Sequence, residues 1–346
     1  MIEAFLLRFM QGVPLVALIL IIAVMIYLLA KGADILVDEA VTLSAQWGVP
    51  KMLIGATIVS LGTTLPETSV SVVAALSGTP GLALGNAVGS IITDTGLILG
   101  IATFIAPLKL NPQVVNRHGW IQLGAGVLLV LSSILFIPKG GALFTQGGRI
   151  PQFVGIAFLL LLVGYILLSI RWARSGILSA EDRDPEQRKS ALLTGSLLLL
   201  GVFMVVGSSE VLIPAVRETA ARLHIPESVI GATLVAFGTS LPELVTAITS
   251  ARKGHGDLAV GNIIGADILN VLFVTGAAAS VTTGGLLVQP NFYTLYFPIM
   301  LTVLIVFRIG IFMSKESMKR PFGMILLALY IVVTVVSYVG ASSAAM

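Results

Sequence analysis

Apolar residues run through this chain in long blocks rather than in the narrow periodic stripes of a soluble amphipathic helix. A membrane-spanning helix takes about 20 mainly apolar residues. Ten blocks approach or exceed that length, at 14–30, 52–76, 82–107, 119–137, 153–170, 191–214, 228–251, 258–283, 292–310 and 321–340. The most polar interruption, RWARSGILSAEDRDPEQRKS at 171–190, leaves five blocks on each side. The pattern predicts an all-α polytopic membrane protein of ten transmembrane helices. A first five-helix repeat would cover residues 1–170, a linker 171–190, and a second five-helix repeat 191–346. An odd number of spans per unit makes the second unit enter the membrane the opposite way, so the two are expected to be inverted repeats, a common plan among secondary transporters.

Composition agrees with this picture and charge orients it. The chain is 56% hydrophobic and 11% charged, with a mean hydropathy of +1.02, against about a quarter charged in a soluble domain. Lys and Arg collect in cytoplasmic loops. Fifteen of the 20 basic residues, among them Lys31, Lys51, Lys109, Arg174, Arg183, Lys253 and Lys315, fall on one set of loops; Arg8, Lys139, Arg149, Arg217 and Arg222 fall on the other. The expectation is a multi-pass protein of the cell membrane with both termini outside and the 171–190 linker cytoplasmic. The opening MIEAFLLRFMQGVP lacks a basic n-region and a small-residue cleavage site, so the first apolar run is expected to stay as a span. Trp47, Trp120 and Trp172 lie at the ends of predicted spans, as an aromatic belt would place them. The absence of cysteine excludes disulfides and thiolate metal sites. His118, His224 and His255 lie near segment ends beside polar residues and read as solvated loop residues.

Polar residues inside the apolar blocks carry the chemistry. GATIVSLGTTLPE runs from Gly55 to Glu67, and GATLVAFGTSLPE from Gly231 to Glu243. At an offset of 176, residues 55–100 match residues 231–276 at 18 of 46 positions, and the matches include Pro, Glu, Asn and Gly rather than Leu and Val alone. Pro66 and Pro242 cannot donate to the carbonyls of Gly62 and Gly238. A freed carbonyl is tolerated at membrane depth only in a cavity or buried in protein. Thr63, Thr64, Thr239 and Ser240 add hydroxyls on the same turns, and Glu67 and Glu243 add carboxylates. Two glutamates brought together in the membrane interior call for cations between them, because an isolated charge there costs at least about 2.5–3.5 kcal/mol. Carboxylate, carbonyl and hydroxyl oxygens without sulfur or imidazole suit hard cations such as Ca²⁺ and Na⁺. Asp94 and Asn270 occupy matched positions, each 27 residues after its glutamate. Ser90 is matched by Ala266, so one hydroxyl is missing from the second half, and Asp267 is matched by Ile91, so symmetry does not vouch for it. Gly85, Gly89, Gly261 and Gly265 have the spacing that lets helices approach closely. Asp34 and Glu210 are also matched, near span ends, where packing or capping accounts for them.

GTTLPE and GTSLPE, each followed by GN-x-x-G, resemble the paired signatures of the cation/calcium exchanger superfamily, in particular its prokaryotic-type sodium/calcium exchanger branch. The resemblance covers both halves. It implies ten helices, with spans two, three, seven and eight around a mid-membrane site. It also implies cation ligands at Thr63, Thr64, Glu67, Ser90 and Asp94 in the first half and Thr239, Ser240, Glu243 and Asn270 in the second. Relatives carry an amide where Asp94 stands and an acid where Asn270 stands, so the third carboxylate has changed sides; the amide at 270 also argues against potassium dependence. The implied activity is secondary antiport of Na⁺ for Ca²⁺ by alternating access, with no enzymatic activity and no cofactor. Ca²⁺ and Na⁺ are then the substrates, the lipid bilayer the surroundings, and neither nucleic acid nor an obligate protein partner is expected. A Ca²⁺/H⁺ exchanger is the nearest alternative, although that branch resembles GNAxEH around its helix-breaking acid. Exchange of Mg²⁺ fits less well, because that ion keeps its waters. An intramembrane protease would need GxGD, a Ser–His pair or HExxH.

Overall fold

The computed structural model describes residues 2–136, 143–175, 190–223, 238–314 and 316–344. After a short N-terminal helix α1 (Ile2–Gln11) come α2 (Leu15–Trp47), α3 (Lys51–Thr63), α4 (Leu65–Leu76), α5 (Pro80–Ile105), α6 (Pro112–Ile134) and α7 (Gln152–Ser175). The second half contributes α8 (Ala191–Arg222), α9 (Leu241–Arg252), α10 (Gly256–Val281), α11 (Phe292–Ser314) and α12 (Arg320–Ala344). Among the described residues six helices are long and apolar enough to cross a membrane, or seven when the bent pair α3 and α4 is counted as one span. The chain is therefore predominantly helical, as its apolar blocks indicate.

Several boundaries differ from the sequence reading. The block at 14–30 continues to Trp47, because α2 stays helical through KGADILVDEAVTLSAQW and packs along α8. The block at 52–76 is two helices meeting at 43° rather than one rod. Arg171–Ser175 extends α7, so only 176–189 of the linker lies outside the described residues, along with 224–237, the start of the block at 228–251. Two small antiparallel pairs were not foreseen: β1 (Leu108–Lys109) with β4 (Ser317–Met318), and β2 (Gly148–Ile150) with β3 (Leu286–Val288). Each ties together two loops that the alternation of the expected spans puts on the same side of the membrane.

The repeat is visible in the element bounds. The starts of α2 and α8 differ by 191 − 15 = 176, those of α4 and α9 by 241 − 65 = 176, and those of α5 and α10 by 256 − 80 = 176. The turns after α4 and α9 close on Gly78 (φ 76°) and Gly254 (φ 78°), the left-handed conformation that glycine adopts without a Cβ penalty. Matched α2 and α8 run antiparallel. Leu18 packs with Ala215, a Cβ on Gly32 would lie 2.7 Å from that of Met204, and the Gln46 amide donates to the Thr194 hydroxyl at 3.0 Å.

Burial locates the centre. The apolar stretch of α10 is 94% buried and that of α5 78%, against 17% for α2. Leu192, Phe203 and Phe312 on α8 and α11 are exposed apolar side chains, suited to lipid. Helix α10 lies against α3 with backbone nearly in contact. A Cβ on Gly55 would sit 2.6 Å from the Leu258 carbonyl oxygen, and one on Gly265 would collide with Ser60 and Ala56. The glycines of the second GN-x-x-G are thus packing residues.

Candidate cation site

Each signature proline sits in the first turn of a helix that begins at a break. Thr64 (φ −82°, ψ 1°) separates α3 from α4, and Ser240 (φ −83°, ψ 10°) precedes α9. Residues 231–237, the first part of the second signature, lie outside the described residues. Glu67 and Glu243 occupy the first turns of α4 and α9, where the positive ends of the helix dipoles favour a carboxylate. Both are 1% exposed, and among the described residues only the Thr239 and Thr63 hydroxyls of the opposite halves approach their carboxylates as donors, without a well-formed hydrogen bond.

The other two helices loosen where they carry their polar groups. Helix α5 widens into π-helical turns over Thr93–Ile98, starting one residue before Asp94, and α10 does so over Asn270–Thr275. Single π turns inside α-helices occur frequently at functional sites. Asp94 and Asn270 are buried, and among the described residues neither Oδ1 has a partner.

Asparagines of the two GN-x-x-G segments join the halves across the centre. The Asn86 amide donates to the Glu67 carbonyl at 3.1 Å and to Ser71 Oγ at 3.0 Å, while its oxygen accepts from the Thr239 hydroxyl at 3.1 Å. Its mate Asn262 accepts from Thr63 at 3.5 Å. The Thr63, Thr239 and Ser240 hydroxyls face Glu243, Glu67 and Asp94 respectively. The nine residues expected from sequence lie on α3, α4, α5, α9 and α10 and at the breaks before α4 and α9. Thr63, Thr64, Glu67, Ser90, Asp94, Ser240, Glu243 and Asn270 are buried, and Thr239 is half-buried.

Asp267 belongs to the same neighbourhood despite its lack of a symmetry mate. It interacts electrostatically with Asp94 and Glu243, as Glu67 does with Glu243 and Asp94. Among the described residues no Lys, Arg or His forms an ion pair with any of these four acids. Among the described residues no three acidic or imidazole groups converge as a metal-binding cluster by themselves. Coordination here would draw on hydroxyl, amide and backbone oxygens as well as carboxylates, a mixture that hard cations accept. Gln122 of α6, which donates to Asp267 at 2.6 Å, was not foreseen; a lone glutamine in the apolar block 119–137 was its only signal.

The histidines need correction. His118 is buried, its Nδ1 lies 3.0 Å from the Tyr165 hydroxyl, and its ring packs edge-on against Tyr165 and Trp172. Tyr165 in turn donates to the Ala56 carbonyl at 2.9 Å, in the π-helical part of α3. His255 is half-buried beside Lys51, and His224 lies outside the described residues. Asp34 pairs with Lys253 at 3.2 Å, a packing role as anticipated.

Buried acids without a basic partner among the described residues, in an apolar helical frame, are the chemistry of a membrane transporter for cations. The chain belongs to the sodium/calcium exchanger protein family, which matches residues 17–171 and 194–339. It is 33% identical over 312 residues to the inner membrane protein YrbG of Escherichia coli K12, covering 88% of this chain and 92% of that protein. It is 29% identical over 345 residues to the sodium/calcium exchanger MaX1 of Methanosarcina acetivorans, covering 92% and 98%. The solved sodium-calcium exchanger NCX_Mj, soaked with 2.5 mM Na⁺ and 1 mM Sr²⁺, superposes with a TM-score of 0.74 at 25% identity, over 91% of this chain and 96% of that one.

Proposed function

We propose that this chain exchanges Na⁺ for Ca²⁺ by alternating access around the oxygen ligands of Thr63, Thr64, Glu67, Ser90, Asp94, Thr239, Ser240, Glu243 and Asn270. The observation that carries this reading is the matched pair Glu67 and Glu243, both buried, each faced by a threonine hydroxyl of the other half and, among the described residues, neither paired with a Lys, Arg or His. Acids in that condition need cations, and a site of several fixed charges crosses the membrane readily only when loaded. That condition couples the two fluxes. Ten helices in two inverted five-helix repeats, 1–170 and 191–346 with the 171–190 linker cytoplasmic, complete the proposal. The antiparallel pairing of α2 with α8 supports the inversion, and the grouping of loops by the two small sheets supports the sidedness, with both termini outside.

Coupling to protons instead of Na⁺ is favoured by one observation: the fourth acid, Asp267, gives the site more carboxylate than one Ca²⁺ balances. Solid-supported membrane currents separate the two readings. Ca²⁺ addition should give a current that depends on Na⁺ at fixed pH. A current of the same size without Na⁺ that follows pH would replace Na⁺ by H⁺.

A further inference from the structure

Asp267 is 2% exposed and is held from two other helices. Its Oδ2 accepts from the Thr95 hydroxyl of α5 at 2.5 Å and from the Gln122 amide of α6 at 2.6 Å, and the same amide reaches the Thr95 oxygen at 3.3 Å. Both donors go to one oxygen. Oδ1 has no partner, and neither do Oδ1 of Asp94, one residue before Thr95, and Oδ1 of Asn270, three residues after Asp267 on α10. A carboxylate offers about four lone-pair sites. Thr95 and Gln122 thus fix the orientation of the group while leaving half of its capacity unused.

A purely structural brace would explain the bonded oxygen. It leaves unexplained why, among the described residues, no donor reaches Oδ1 of Asp267, of Asp94 beside its partner Thr95, or of Asn270 one helical turn away. Charge points the same way. One Ca²⁺ balances Glu67 and Glu243, which leaves Asp94 and Asp267 acting on each other in a buried place without a basic partner among the described residues. Three acceptor oxygens from two carboxylates and one amide match a hard monovalent ion.

We propose that Asp267, oriented by Thr95 and Gln122, adds a carboxylate to the ligands Asp94 and Asn270 of the exchange site and so completes an alkali-cation subsite beside Glu67 and Glu243. The inference deepens the exchanger reading and rests on it. Asp267 then sets how many monovalent ions displace one Ca²⁺, and the second half supplies its acid one helical turn earlier than position 270.

The test is calorimetric titration of the purified full-length protein with Ca²⁺ across a series of Na⁺ concentrations, a parallel series in K⁺, and choline as the inert replacement. In wild type, apparent Ca²⁺ affinity should fall with Na⁺, or with K⁺ if that ion is the occupant. In Asp267→Asn, Ca²⁺ should still bind in choline, while the logarithmic slope against that alkali ion falls by about one, so that a tenfold rise in the ion weakens Ca²⁺ binding about tenfold less than in wild type. Gln122→Met removes a brace and keeps the charge, so its slope should stay at the wild-type value. Equal slopes in wild type and Asp267→Asn, or equal losses in Asp267→Asn and Gln122→Met, would overturn the subsite and leave a brace. Should Asp267→Asn not fold, the double variant Glu67→Gln/Glu243→Gln should still gain thermal stability from the alkali ion, and absence of that gain overturns the subsite too. A wild type that binds no Ca²⁺ in choline refutes the exchanger reading itself and is told apart on that ground.

Discussion

Glu67→Gln exchanges a buried carboxylate for an amide of nearly equal volume, so its effects report charge. A unit charge about 4 Å from a partner is worth on the order of 4 kcal/mol at an effective dielectric near 20, and twice that toward a divalent ion. Desolvation of the carboxylate offsets much of this. A net loss of only about 3 kcal/mol already weakens Ca²⁺ binding by more than a hundredfold. In the ion-free protein the sign reverses, because Glu67 faces the carboxylates of Glu243 and Asp94 with only the neutral Thr239 hydroxyl turned toward it. The variant should therefore melt at the same temperature as wild type in chelator, or a few degrees higher, and should lose the stabilisation that Ca²⁺ gives wild type. Thermal unfolding of the purified protein with chelator and with excess Ca²⁺ measures both. A Ca²⁺-induced shift as large as that of wild type would refute the placement of Glu67 at the site, and a much lower midpoint in chelator would mean that the carboxylate has an unrecognised structural partner.

Gly55→Ala forces a Cβ to 2.6 Å from the Leu258 carbonyl oxygen and 2.8 Å from the Asn262 nitrogen; it should cost about 1–3 kcal/mol, seen as a lower melting temperature, and depress transport further by separating Thr63 from Asn262. His255, desolvated and 3.4 Å from the Lys51 ammonium, is held below its usual pKa. A depressed histidine stabilises the fold above about 6.5 and loses that contribution as pH falls, so His255→Gln should flatten the decline of melting temperature on acidification, and an unchanged decline would contradict this. Lys109, the exposed residue of β1, and Thr283, exposed just before β3, are the places for Lys109→Cys and Thr283→Cys; the first should react with an impermeant thiol reagent only from the cytoplasmic side and the second only from outside, and the reverse pattern would invert the topology.

The centre was legible because it is written twice. Pro66 with Glu67 and Pro242 with Glu243 break the apolar pattern in the same way, and the structure puts a helix break before each, at Thr64 and Ser240. Asp94 and Asn270 were reached by counting from those glutamates, and both fall in π-helical turns that no local propensity announces. Asp267 was only half legible. Its matched residue is Ile91, so symmetry gave no support, and its donors Thr95 and Gln122 come from other helices at separations that only tertiary structure joins. His118 misled for a related reason. Beside Arg117 near a span end it looks solvated, yet Tyr165 and Trp172, about fifty residues later, close over it. The extension of α2 to Trp47 was hidden by Lys31, Asp34 and Asp38. Lys253 from the far half of the chain pairs with both acids, at 3.2 and 2.9 Å, at the surface of this charged stretch.

The central claim is coupled exchange at one site, and uptake of radioactive Ca²⁺ by proteoliposomes containing the purified protein tests it most directly. Vesicles loaded with Na⁺ and diluted into Na⁺-free medium, with pH and voltage clamped by ionophores, should accumulate Ca²⁺. Vesicles loaded with choline, or carrying Glu243→Gln, should not. Accumulation that is indifferent to internal Na⁺ and instead follows an imposed pH gradient would contradict the account.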